Sequence, residues 1–123
     1  MTQEDKELLR KDLCARLAYG VMCKTNNTDK PHRLKGIIKH QKLWWFEFDG
    51  FRGLECKPYL RSMSSMTEEE IDKYHSYCKY AGDDTPEGYD IWLDTCESYD
   101  YLNSIHVDYR DLIPNGLAIE VTK

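Results

Sequence analysis

Asp49-Gly50 sits between Phe48 and Phe51, at the end of a run in which Trp44, Phe46 and Phe48 alternate with Trp45 and Glu47. A two-residue type I′ turn needs positive φ at both central positions, and Asp-Gly is one of the few pairs that tolerates this. Strand-period alternation running into such a turn commits the middle of the chain to an antiparallel hairpin. Two further strand-like runs flank it. Leu34–His40 contains Ile37 and Ile38, and Leu54–Leu60 sets Leu54, Cys56 and Leu60 against Glu55, Lys57 and Tyr59. Pro58 cannot donate to a ladder, so the last strand is expected to stop there or to lie at an edge. Ala18–Lys24 reads as a fourth strand, with Tyr19, Val21 and Cys23 on one side, and the polar stretch Asn26–Pro31 reads as a loop. The expectation is a meander of about four antiparallel strands.

Helical signals bracket this β region. Leu9, Leu13 and Leu17 recur at four-residue intervals after Thr2, a plausible N-cap with Asp5 three residues on, and predict a helix over 2–17. Thr67-Glu68-Glu69-Glu70 is a capping box whose acids also suit the positive end of a helix dipole. That helix is expected to reach Ala81, stop at Gly82, and bury Ile71, Tyr74, Cys78 and Ala81. Asp84-Thr85-Pro86 suits another helix start, running to about Asn103 and burying Trp92, Cys96 and Tyr99. Leu117–Val121 reads as a short strand able to rejoin the sheet. The expected fold class is therefore α+β: an N-terminal helix, the meander, two helices and a short C-terminal strand. A chain of 123 residues suits one domain, residues 1–123, with a core of its own.

Several function classes lose support on the same reading. The longest apolar stretches, such as Leu43–Phe46, are far shorter than a membrane span needs, and the acidic start Met1–Asp5 does not read as a secretory leader. The expected location is the cytoplasm, with Cys14, Cys23, Cys56, Cys78 and Cys96 as free thiols buried as small hydrophobes, since five widely spaced cysteines do not make a disulfide framework. Asn26-Asn27-Thr28 matches a glycosylation sequon, which without export marks only a polar loop. His75 and Cys78 stand three apart on an expected helix but lack the further ligands a zinc site requires. No cysteine–histidine pair is singled out among His32, His40, His75 and His106, and no phosphate-binding or nucleophile-elbow motif is present. No catalytic residue, metal ligand or cofactor is assigned.

Charge is distributed unevenly. Residues 1–61 carry 13 Lys and Arg against 8 Asp and Glu, and residues 62–123 carry 4 against 14, so +5 and −10 give the net −5. In the first half, Lys24, Lys30, Arg33, Lys35, Lys39 and Lys42 precede Trp44-Trp45. Cations beside aromatics suit single-stranded nucleic acid, with Lys30, Arg33, Lys35, Lys39, Lys42 and Trp45 as candidate contacts. Trp45 is the informative one, because alternation sends it to the face opposite Trp44. In the second half, acidic residues lie among tyrosines. Tyr77, Tyr80, Asp83, Asp84, Asp90, Asp94 and Tyr101 are candidate contacts for a basic site on another protein. Protein binding through this face is the leading expectation, and nucleic-acid binding through the basic hairpin is the alternative. An unfamiliar small enzyme is the third. The opposite charges of the two halves also permit self-association, and no membrane partner is expected.

Two blocks carry a resemblance. Lys57-Pro58-Tyr59-Leu60-Arg61-Ser62-Met63-Ser64-Ser65-Met66-Thr67-Glu68-Glu69-Glu70 is similar to a segment recurring in small, uncharacterised proteins of gut Bacteroidales bacteria and their phages or prophages. Tyr101-Leu102-Asn103, with Asp108–Ile113 and Gly116–Ile119, resembles a second block of the same group. The resemblance implies a mobile-element origin and brings no catalytic residues with it.

Overall fold

The computed structural model describes residues 2–26, 28–82 and 91–121. The fold class is α+β with an N-terminal helix, as expected, but the strands are arranged differently from one meander.

Helix α1 spans Gln3–Arg16 and opens with a reciprocal cap: the Asp5 amide donates to Thr2 Oγ1 at 3.0 Å, and the Thr2 amide donates back to the Asp5 carboxylate at 3.3 Å. Leu9 and Leu13 are buried, and Leu17 is half-buried beside them. A 3-10 turn, Leu17–Tyr19, and Gly20 at φ +73° replace the start of the expected first strand. A Cβ on Gly20 would stand 3.2 Å from Arg33 Nε, so both conformation and space favour glycine here. Strand β1 is then Met22–Thr25, with Val21 and Cys23 buried and Tyr19 exposed.

The stretch expected as a loop contains strand β2, Thr28–Arg33, paired antiparallel to β1 with Met22 opposite Arg33 and Cys23 opposite His32. β2 is an edge strand, which is where Pro31 is tolerable. Pairing with β1 overrides the polar, turn-favouring composition.

The meander divides at Leu34-Lys35. The Leu34 amide bonds the Val21 carbonyl at 3.0 Å, while the Lys35 amide bonds the Glu47 carbonyl at 2.8 Å. Strands β3 (Gly36–His40), β4 (Leu43–Glu47) and β5 (Arg52–Gly53) therefore form a separate three-stranded sheet. The Asp49-Gly50 hairpin forms, with the Phe48 amide on the Phe51 carbonyl at 2.9 Å, yet only Gly50 has positive φ, so its turn is not type I′. Positive φ at two successive residues occurs instead at Gln41 (53°) and Lys42 (67°), between β3 and β4.

Strand β6, Cys56–Ser62, is central rather than an edge, with β1 on one side and β10 (Ile119–Glu120) on the other. Pro58 is accommodated by alternation. The Leu60 carbonyl accepts from the Val121 amide, so even-numbered positions of β6 point toward β10, and pairing with β10 begins only at Tyr59. The proline nitrogen thus lies beyond the end of that ladder. β9, Val107–Asp108, pairs parallel to β6 at Arg61 and Ser62, and β10 rejoins the sheet as expected.

Helix α2, Glu68–Tyr77, is followed by a ribbon of β7 (Lys79–Gly82) and β8 (Ile91–Leu93), and then by helix α3, Cys96–Ser104. α2 stops short of Ala81. The expected long second helix is corrected to strand β8 followed by α3, whose N-cap is Thr95; the segment 83–90 lies outside the described residues. The expected core of that helix is corrected too: Trp92, Cys96 and Tyr99 are exposed, and Ser98, Leu102 and Asn103 are buried instead.

Two apolar clusters result. The larger joins Leu9 and Leu13 to Val21, Phe46, Phe48, Leu60, Leu112 and their neighbours, and the smaller joins Met66, Leu102 and Val107 beneath Tyr74 and Tyr101. Between helix α1 and β9 lies an ion pair with no solvent exposure. Arg16 donates through Nε to Asp12 at 2.9 Å and through Nη2 to the Val107 carbonyl at 2.6 Å, and Arg110 adds a bond to Asp12 at 3.1 Å. The Asp108 carboxylate in turn accepts the amides of Leu112 and Ile113 at 3.0 and 2.9 Å, shaping the loop that follows β9.

Candidate protein-binding surface

The capping box that starts α2 forms as expected: the Glu70 amide donates to Thr67 Oγ1 at 3.2 Å, and the Thr67 amide donates to Glu70 Oε1 at 2.9 Å. Glu70 also takes a two-pronged bond from Arg61, at 2.8 and 2.7 Å, which fixes the helix start to β6. Tyr74 packs over Leu102 and Met66 on the inner side of α2. Its hydroxyl donates to Asp94, and Asp94 also accepts from the Ser98 hydroxyl at 3.2 Å. Burial first, then the bonds to Asp94 and Cys78, push the Tyr74 phenol well above its ordinary pKa, so it stays protonated. Thr95 closes the arrangement, its hydroxyl donating to the Tyr77 carbonyl at 2.6 Å while its Oγ1 accepts the Ser98 amide.

From this anchor the ribbon carries aromatic side chains outward. Tyr80 stands opposite Trp92 across β7 and β8, with ring centroids 4.9 Å apart. Trp92 lies flat on His75, 4.7 Å away and 3° from parallel, and His75 contacts Tyr74. A second pair, Tyr77 and Tyr101, lies 5.6 Å apart, with the Lys73 ammonium over the Tyr101 ring. Tyr80 is 53% exposed, Leu93 48% and Trp92 40%, and Tyr77 and Ile71 are also exposed. α2 has no fully buried residue, and among the described residues β7 and β8 pair only with each other.

The sequence-derived candidates are placed unequally. Tyr77 and Tyr101 meet as one ring pair between α2 and α3, while Tyr80 stands on the ribbon against Trp92. Asp94 lies there as well, but its carboxylate is engaged by Tyr74 and Ser98. Asp83, Asp84 and Asp90 lie outside the described residues. Trp92, His75 and Leu93 belong to the surface and were missed, because a helix reading of 86–103 turned Trp92 inward; the run Ile91-Trp92-Leu93 was the available strand signal.

The basic candidates do not form one surface. Lys30 and Arg33 are on β2 of one sheet, and Lys35, Lys39, Lys42 and Trp45 are on or beside β3 and β4 of the other. Register confirms that Trp45 faces away from Trp44: Trp45 is opposite Ile38, while Trp44 is opposite Lys39 and Phe46 opposite Ile37. Trp45 is half-buried with its Nε1 shielded, whereas Trp44 is exposed and carries the cations, Arg10 at 4.6 Å and Lys39 at 5.5 Å from its ring centre.

A hydrogen bond donated to Cys56, then burial, holds the buried Cys23 thiol far above its ordinary pKa, the reverse of what a nucleophile needs. Cys14 and Cys96 are exposed, correcting the expectation of five buried thiols. No group of three or more potential metal ligands occurs among the described residues, and no helix there is long and apolar enough to cross a membrane. Comparison with family models, curated proteins and solved structures gave no match.

Proposed function

We propose that this chain is a non-enzymatic binding protein, an accessory of a phage or other mobile element, that captures another protein through the α2–ribbon surface. The observation that supports it is the row Tyr74–His75–Trp92–Tyr80: rings in contact, stacked between His75 and Trp92 and tilted at the two ends, fixed from behind by Asp94 and the Leu102 cluster, with Trp92 and Tyr80 exposed in front. Rigid, amphipathic aromatics are the side chains that dominate interface energetics, because they bring large area with little rotamer entropy to lose. The −10 balance of residues 62–123 gives the partner a chemistry: an apolar patch or pocket ringed by Lys and Arg.

Tyr80→Ser with Leu93→Asp removes apolar contact area from two exposed positions without touching the bonds to Asp94. Recovery of a protein partner from nuclease-treated host lysate is expected with the parent chain and lost with this variant, which still unfolds cooperatively with a midpoint only slightly lowered by loss of the Tyr80–Trp92 pair. Equal recovery by both would reject the surface.

A further inference from the structure

A separate concavity lies on the opposite charge half of the molecule, between α1 and the β3–β4 hairpin. Its volume is about 250 Å³. Leu9 and Phe46 form a buried floor, and Leu43, Trp44 and Leu54, all exposed by more than a third, form apolar walls. Lys6 and Arg10 reach its rim from α1, and Lys42 reaches it from the turn between β3 and β4. That turn holds Gln41 and Lys42 at positive φ, where glycine or asparagine is the usual occupant.

Among the described residues the cations are held without anionic partners. Arg10 lies over the Trp44 ring, joined there by Lys39, and among the described residues none of Lys6, Arg10, Lys39 or Lys42 enters an ion pair. Two carboxylates, Glu7 and Glu55, share the lining. Three lining cations, Lys6, Arg10 and Lys42, stand against these two carboxylates, and Lys39 adds a fourth positive charge from outside the lining, over the Trp44 ring, so the balance favours an anion.

We infer that this groove binds a small organic monocarboxylate, its apolar body against Leu43, Trp44 and Leu54 and its carboxylate between Arg10 and Lys42. Concave, mainly apolar sites with a few charged groups at the rim are the usual form of small-ligand pockets. At roughly 30 Å³ for each water-sized group, a volume of 250 Å³ accepts an apolar body of about eight carbon atoms. A longer chain would protrude, and a cation of the same shape would meet Arg10 and Lys42.

The test uses octanoate and octylammonium, which differ in the sign of the head group, titrated into the isotopically labelled chain. The three indole N–H signals report Trp44, Trp45 and Trp92 separately, with Trp44→Phe identifying the first. Octanoate is expected to shift the Trp44 signal at about tenfold lower concentration than octylammonium, a difference of one charge-assisted contact. Lys42→Gln, at an exposed turn, and Arg10→Gln are each expected to erase most of that preference, while Leu54→Asn, which adds no charge, weakens both ligands. Equal or better binding of octylammonium to the parent chain would overturn the inference. So would shifts confined to Trp92, a preference unchanged in Lys42→Gln and Arg10→Gln, or an oligothymidylate that moves the same signals at lower concentration than octanoate.

Discussion

Helices α1 and α2 begin in the same way and bury different things. Each opens on a threonine capping box, Thr2 with Asp5 and Thr67 with Glu70. α1 goes on to place Leu9, Leu13, Asp12 and Arg16 out of contact with water, its charged pair included. α2 has no fully buried residue and, with the ribbon after it, holds Ile71, Tyr77, Tyr80, Trp92 and Leu93 in solvent. One end of the molecule puts its apolar and ionic groups into holding the fold together. The other displays apolar groups on a frame already fixed by Arg61, Asp94 and Thr95. A large exposed apolar patch is uncommon on an isolated chain, and its usual meaning is a partner.

Breaking the α1 side is expected to have the largest effect. Asp12→Ala leaves the Arg16 guanidinium buried without its carboxylate, and breaking a buried pair from one side costs about 3–5 kcal/mol. Chemical denaturation should show that loss, or failure to fold. Next comes a matched pair of truncations. Leu13→Ala, in the larger cluster, should cost about 2–5 kcal/mol, and Ile71→Ala, on the exposed face of α2, less than about 0.5 kcal/mol. Equal costs would erase the contrast between the helices. Thr67→Ala should cost about 1 kcal/mol, because it removes a cap and nothing from either core.

The smallest expected effect is on pH dependence. Burial, then the neighbouring Arg16 charge, holds the half-buried His106 ring below its ordinary pKa, with a Tyr19 backbone bond and Asp12 pulling the other way. The unfolded chain therefore takes up the proton first. Stability should be full above the ordinary histidine value and should fall as pH drops below it toward the folded value. His106→Gln should flatten that slope in denaturation series run across mildly acidic pH.

What was legible in the sequence was local. The two threonine caps, the Leu9–Leu13 stripe, the hairpin at Asp49-Gly50 and the returning C-terminal strand all follow from nearest-neighbour chemistry. What was hidden depends on pairing over distance. Asn26–Pro31 reads as a loop until β1 gives it a ladder, and Pro58 reads as a strand end until alternation turns its nitrogen past the end of the β10 ladder. Asp12 and Arg16 look like an ordinary surface pair four residues apart; only the Val107 carbonyl and the Arg110 side chain, far along the chain, make them interior. The candidate site shows the same division. Tyr77, Tyr80 and Tyr101 stood out by composition, but the stacking of Trp92 on His75 required knowing that residues 91–93 form a strand.

The most direct measurement is photo-crosslinking from position 80, with a benzophenone side chain in place of Tyr80, in host cells and followed by nuclease treatment. The expected result is a discrete adduct with one other protein, lost when Leu93→Asp is added. No adduct from position 80, together with an adduct from the same probe at Leu43, would contradict the assignment of the binding surface to α2 and the ribbon.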